Sequence, residues 1–573
     1  MKKISKVLKK EYIVITVLVI ISLFPLYFPG FLYTHDGIIH LYRTAGAYEN
    51  IINLDFFNRI SYNMINGYGY GWGIFYPPLS AIVPAIFMCL GFSLFTAEKI
   101  FLILFSILAG IFSYKLFNEI FKNNLVSLSC SILYVLAPYK IEQIIIRGAM
   151  GEVALFTFLP LVLLGLIKIL NKEYKYKYYL IFGTLGIVYS HTISTVYTAI
   201  FALFFVVLNI RKVFNKKTII ELLKSFFIIL MISLPIFIPM LQHKSLNVYK
   251  ISEITTDVSD RIVHPGQLIG GSFESKDAEN TSYLSDDVEM NYMIGLIAIL
   301  ILTLFPFFYK KIKENGELNK FIKWGILLLI SILMMIIPFI WDKIEILDVI
   351  QYPWRLLSFS VIFISILAGY IIKEIIKTDN KYLLLLIIIF FSMLFVLFIG
   401  SKAKFAKTLN KDFNFFEQQI TENDDYGSFS FSLGYAHEYL PKETSVDVIK
   451  AKNNNVEIIK GNANVENFII DNNVIYLDIE ILEENTSIEI PRIYYMGYSV
   501  LVDGESNNYY IGDSGFINLD INSTGKHNII IKYTGTMLYV IIDYIAIFIF
   551  IIYILYILFF DTIKFKLFSK KSY

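Results

Sequence analysis

Apolar runs such as 383–399 and 537–560 approach or exceed the roughly 20 residues that an α-helix needs to cross a bilayer. A chain with runs like these cannot hide them all in a water-soluble core, so it reads as a polytopic integral membrane protein. Composition points the same way. Of the residues 56% are hydrophobic and 17% charged, against about 25% charged in an average soluble domain. The formal net charge of +2 gives no overall pull toward polyanions, so the expected partner is the lipid bilayer and not a nucleic acid. Cys89 and Cys130 both lie inside apolar runs, which argues against a disulfide framework or a thiolate metal site.

The N-terminal sequence MKKISKVLKK followed by an apolar run has the make-up of a secretory signal. A small-residue cleavage site is missing and Phe31-Leu32-Tyr33 follows instead, so 11–32 reads as a retained first helix. Further apolar segments fall near 79–95, 98–117, 124–138, 150–170, 177–190, 195–210, 222–242, 291–309, 321–341, 355–373, 381–400 and 537–560. Basic clusters at 1–10, 115–122, 168–177, 211–224, 310–323, 373–381 and 564–571 belong on the cytoplasmic side. The loops 33–78, 138–149, 191–194, 243–290, 342–354 and 401–536 then fall outside. Segment 79–95 breaks the alternation. It is short, holds Pro84 and Gly91 and follows Pro77-Pro78, so it is expected to be re-entrant or to lie in the interface. About twelve crossings result, with both termini cytoplasmic. Abundant Ile, Lys and Asn suggest an AT-rich bacterial genome.

Three regions follow. Residues 1–400 form a transmembrane domain with an outer loop at 33–78. Residues 401–536 alternate polar and apolar side chains, as at 473–481, 488–495 and 527–533, and carry turn signals at Asp503-Gly504 and Thr524-Gly525. A β-sandwich-like, extracytoplasmic domain of short strands is expected there. Residues 537–573 supply a last helix and a basic tail.

Chemistry-bearing residues gather on the predicted outer face. Asp36, His40 and Arg43 are spaced four and three apart, so on a helix they share a face. A carboxylate, an imidazole and a guanidinium there suit proton transfer and phosphate binding; the plainer reading is a solvated turn with an internal salt bridge. Arg59 and Tyr62 precede Gly67-Tyr68-Gly69-Tyr70-Gly71-Trp72-Gly73 and Phe75-Tyr76-Pro77-Pro78. These aromatics suit sugar stacking or an interfacial belt. Tyr139, Gln143, Arg147 and Glu152 stand where a helix re-enters the bilayer, His191 in a short outer turn, and Trp354-Arg355 at another helix entrance. Ionisable groups near membrane depth are functional candidates by default; the plainer readings are an Arg147–Glu152 pair inside the bundle and a packing role for His191. The acidic run 286–289 suits a cation or a solvated loop.

The stretch Asp36-Gly37-Ile38-Ile39-His40-Leu41-Tyr42-Arg43, with Gly67-Tyr68-Gly69 and Phe75-Tyr76-Pro77-Pro78-Leu79, resembles the bacterial membrane family labelled 6-pyruvoyl-tetrahydropterin synthase-related. The C-terminal Ile490-Pro491-Arg492-Ile493-Tyr494-Tyr495-Met496-Gly497-Tyr498, with Val502-Asp503-Gly504 and Gly525-Lys526-His527, resembles the end of the YfhO-like membrane proteins. Both are similar in layout to the GT-C glycosyltransferases, which carry an essential acid in the first outer loop and take sugars from polyprenyl-phosphate donors. Asp36 occupies the matching place.

The resemblance implies transfer of a sugar from a polyprenyl-phosphate carrier to an extracytoplasmic glycan, lipid or polymer. Asp36 would serve as general base or act through a divalent cation such as Mg or Mn, with His40 and Glu152 as further catalytic candidates. Arg43, Arg59, Tyr62, Tyr68, Tyr76, Tyr139, Arg147, His191 and Arg355 are the candidates for holding substrate. This motif has one clear acid and no paired Asp-x-Asp, which leaves metal dependence open. A transporter of a lipid-linked glycan and a non-enzymatic envelope scaffold are the alternatives. No internal repeat is evident, and the ionisable groups cluster at one face, which favours chemistry at a surface.

Overall fold

The computed structural model describes residues 9–253, 258, 261–270, 290, 292–343, 351–377, 381–405, 437–471 and 473–569. The acidic run 286–289 lies outside them. The chain divides into two compact units: 1–38, 95–229 and 256–411 form one, and 39–94, 230–255 and 412–573 form the other.

The first unit is a helical bundle. Its most deeply packed helices are Pro353–Ile375 and Met150–Leu170, with 94% and 83% of their apolar windows buried inside the protein. A helix apolar all round belongs at the centre of such a bundle. Around these lie helices that leave large side chains uncovered, among them Leu383, Leu386 and Phe390 on Lys381–Gly400. Uncovered faces of this kind suit contact with lipid.

Among the described residues of the whole chain, seven helices are long and apolar enough to span a membrane. The number is eight if the bent pair Asn124–Val135 and Pro138–Ile145 counts as one. Sequence patterning gave about twelve. The difference lies in helix length: Lys10–Ser22 has 13 residues, Tyr178–Val188 has 11 and Thr192–Leu208 has 17. Leu79–Cys89, the segment expected to be re-entrant or interfacial, has 11.

Two local features shape this bundle near Asp36. Pro138 has no N–H to continue the preceding helix and forces Ala137 out of the helical region (ψ 134°), so the pair bends by 43°. Gly148 then turns the chain with φ +64°, and a Cβ there would strike Thr34. That close approach lets the His35 N–H reach the Ile146 carbonyl (3.1 Å) and the Asp36 N–H reach that of Arg147 (2.7 Å). A two-residue antiparallel pair, β1 (Leu32–Tyr33) with β2 (Lys404–Phe405), fixes the chain just before.

The second unit holds the β-rich domain, which was legible as alternation. Its strands are β3 Glu457–Lys460, β4 Ala463–Asp471, β5 Val474–Ile481, β6 Thr486–Ile493, β7 Tyr498–Val502, β8 Glu505–Ser506, β9 Tyr510–Ile511, β10 Phe516–Ile521 and β11 Gly525–Tyr533. They form a four-stranded sheet, β3-β6-β10-β9, and a five-stranded sheet, β4-β5-β11-β7-β8. On β5, Ile475, Leu477, Ile479 and Ile481 point inward and alternate with half-buried or exposed residues. Asp503-Gly504 closes β7 onto β8 with both φ values positive (53° and 85°), the two-residue turn that matches strand twist. β6 is buried on both faces because the 59–76 stretch of the same unit packs against it. The Ile493 N–H bonds the Tyr68 carbonyl (3.0 Å), Arg492 reaches the Gly67 carbonyl, and the Tyr68 ring meets Phe516 edge-on at 5.0 Å.

Close helix packing in the bundle rests on small residues. A Cβ on Gly165 would strike the backbone of Leu180, whereas one on Gly325 meets nothing within 4 Å. Gly165→Ala is therefore expected to cost about 1–3 kcal/mol and Gly325→Ala close to nothing, as read from thermal unfolding of the detergent-purified protein.

Candidate functional site

Six of the expected residues, Asp36, Tyr139, Arg147, Glu152, His191 and Arg355, belong to the first unit, and five of them form one connected cluster. Glu152 opens the Met150–Leu170 helix, and its side chain is only 2% exposed. Its Oε1 takes a hydrogen bond from Arg147 Nη1 (2.6 Å) and lies 3.2 Å from Arg355 Nε; its Oε2 accepts from the Tyr139 hydroxyl (3.0 Å). Arg147 also donates from Nη1 to Gln143 Oε1 (2.9 Å) and from Nη2 to Asp36 Oδ2 (2.8 Å). Its guanidinium stacks over Trp354 at 4.6 Å, and that of Arg355 over Tyr352 at 5.0 Å. The result is a chain of alternating charge, Asp36–Arg147–Glu152–Arg355, in which two carboxylates balance two guanidiniums. His191 stands apart from these bonds. It caps the Thr192–Leu208 helix, with Nδ1 accepting from the Ser194 N–H (3.2 Å).

The position of each group decides what it can do. Glu152 is buried between two hydrogen-bond donors, Arg147 and Tyr139, and the charged Arg355 guanidinium, so it positions the two arginines and is closed off from substrate. Asp36 is different: its side chain is 36% exposed and only Oδ2 is engaged. Among the described residues no three His, Cys, Asp or Glu side chains come together around a common point. A cation at Asp36 would also sit beside the Arg147 guanidinium, an unfavourable donor set for Mg or Mn.

The other expected residues belong to the second unit, where most serve packing. The helix Gly37–Ile52, which carries His40 and Arg43, starts only after Asp36. Arg59 Nη2 grips Asp543 of the last helix through both oxygens (2.7 and 2.9 Å), an ion pair about a tenth exposed on either side. Tyr62 lies under the Arg492 guanidinium (5.5 Å) and Tyr68 is fully buried. Neither ring is open to a sugar. Tyr76 carries the Arg43 guanidinium on its face at 3.9 Å, and its ring lies 6.2 Å from that of His40. Sequence reasoning overlooked Asp543. A single acid inside an otherwise apolar 23-residue span was the signal that pointed to a partner.

No family model matches the chain. A protein of Lactococcus lactis subsp. cremoris (strain MG1363), described as uncharacterized, is 23% identical over 250 residues. That similarity covers 42% of this chain and 41% of the relative, less than half of either.

Removing one partner of a buried pair leaves an uncompensated charge, at a cost of about 3–5 kcal/mol. Glu152→Gln is expected to lower the unfolding temperature sharply, whereas Asp36→Asn, at a half-exposed group, shifts it little; parallel thermal melts check the contrast. Arg59→Met alone should destabilise by a similar amount to Glu152→Gln. Combining it with Asp543→Leu should recover most of the loss, because an apolar pair of similar volume needs no counter-charge.

Proposed function

We propose that this chain is a membrane glycosyltransferase that moves a sugar from a polyprenyl-phosphate donor to an acceptor on the extracytoplasmic side, with Asp36 at its centre. The observation that carries this reading is the state of Asp36. It is a half-exposed carboxylate with one oxygen fixed by Arg147 and the other open, at the end of a buried, charge-balanced chain. The sequence resemblance to GT-C enzymes supports it by placing an essential acid at the same point after the first helix.

In the reaction, the acceptor hydroxyl gives its proton to Asp36 as its oxygen attacks the anomeric carbon. The bond from that carbon to the carrier phosphate breaks, the phosphate leaves with the electron pair, and the configuration inverts. Arg147 holds the Asp36 carboxylate in one orientation; Gln143 and Glu152 hold Arg147, and Tyr139 holds Glu152. Preorganisation of this kind means the base does not reorient at the moment of transfer.

The test is transfer of labelled sugar from polyprenyl-phosphate carriers by purified wild type and Asp36→Asn, with a panel of envelope acceptors and with or without chelator. Loss of a general base is expected to reduce the rate by about 10²–10⁴-fold. Equal rates in the two proteins would remove Asp36 from the mechanism, and loss of transfer on chelation would replace the base with a cation-linked acid. Transport or scaffolding, by contrast, predicts no transfer by either protein.

A further inference from the structure

Arg147 and Arg355 are matched to Asp36 and Glu152, and Arg59 to Asp543. Arg43 has no such direct bond to a carboxylate. It is 5% exposed, and among the described residues it makes no ion pair and no hydrogen bond; its Nε is buried without an acceptor. Aromatic faces surround it instead, Tyr76 at 3.9 Å and Trp72 at 6.0 Å. The Tyr70 hydroxyl, within electrostatic reach of Arg43, is likewise buried without a partner. Tyr439 stacks on the Tyr70 ring at 5.8 Å and completes the wall. Glu438 is the nearby negative charge; it is engaged with Tyr439 and also favours the charged Arg43 guanidinium.

Desolvating a guanidinium costs more than stacking on an aromatic ring returns. A buried cation beside an unused hydroxyl donor therefore marks a place completed by an anion. We propose that Arg43 and Tyr70 form a binding site for a phosphate group, with the guanidinium and the phenol O–H as donors and Tyr76 as the platform that holds the guanidinium flat. A guanidinium fork and a hydroxyl together fit the several acceptor oxygens of a phosphate. The choice of phosphate as the anion rests on the carrier-lipid reading above. The source is either a lipid-linked phosphate or a soluble one.

The test measures binding without turnover, in the full-length detergent-purified protein and in nanodiscs. Inorganic phosphate and pyrophosphate, at constant ionic strength, are expected to raise the unfolding temperature saturably in wild type. Tyr70→Phe should weaken the response about tenfold, and Arg43→Met should abolish it. Arg43→Met should change the unfolding temperature little without ligand, since it removes a buried guanidinium that holds no hydrogen bond; a merely structural arginine predicts a fall. Asp36→Asn should keep the full phosphate response, so failure of the transferase reading is separable from failure of this one. Stabilisation by polyprenyl phosphate in nanodiscs, where soluble phosphates are weaker, assigns the site to a carrier lipid; the reverse assigns it to a soluble phosphate. No response to any phosphate, an undiminished response in Arg43→Met, or an equal response to acetate overturns the assignment.

Discussion

The Arg147 guanidinium is the interaction on which the first unit's polar centre depends. It joins Glu152 to Asp36, which lies 111 residues before Arg147 in sequence, with bonds of 2.6 and 2.8 Å. Charges this buried are tolerated only when each is matched in geometry as well as sign. A lysine would supply a point charge here but not two separated donor edges and a flat face for Trp354. Arginine supplies all three. Because Glu152 begins a helix that is itself buried in the bundle, the orientation of Asp36 is inherited from packed backbone and not from a mobile loop.

Backbone chemistry makes that meeting possible. The bend imposed by Pro138 and the left-handed turn at Gly148 bring residues 146–147 alongside 35–36. The side-chain ion pair is thus backed by main-chain hydrogen bonds, and the two reinforce each other. In the second unit the same principle holds with different parts. There the glycine–tyrosine alternation at 67–71 lets a chain segment lie flat on β6 and β10, and Gly71 has no side chain because the Tyr495 ring occupies that space.

Much of the fold was legible from periodicity. The apolar runs became helices, and the alternating stretches near 473–481, 488–495 and 527–533 became β5, β6 and β11. Apolar length alone overcounted the long helices, because hydropathy does not register where a run is broken into short pieces. The ion pair of Arg147 with Glu152 was a reading available from five-residue spacing at a membrane entrance. The link to Asp36 was not, since it depends on the turn at Gly148. Helical spacing suggested a shared face for Asp36, His40 and Arg43, yet the helix begins only at Gly37. The aromatic loop invited a reading as a sugar platform, and Tyr62 and Tyr68 proved to be packing residues because the sheet they cover lies hundreds of residues downstream.

The Arg59–Asp543 pair joins residues 484 positions apart. At synthesis rates of about 5–20 residues per second, Arg59 emerges roughly 25–100 s before the carboxylate that neutralises it. During that interval the guanidinium must stay in water or at the headgroup layer. The last helix, for its part, enters a bilayer carrying an acid that is best accommodated once Arg59 is in reach. Assembly of the second unit is therefore a closing step: its earliest-made loop and its latest-made helix wait for each other, and quality control has a full chain's length of time in which to notice if they fail to meet.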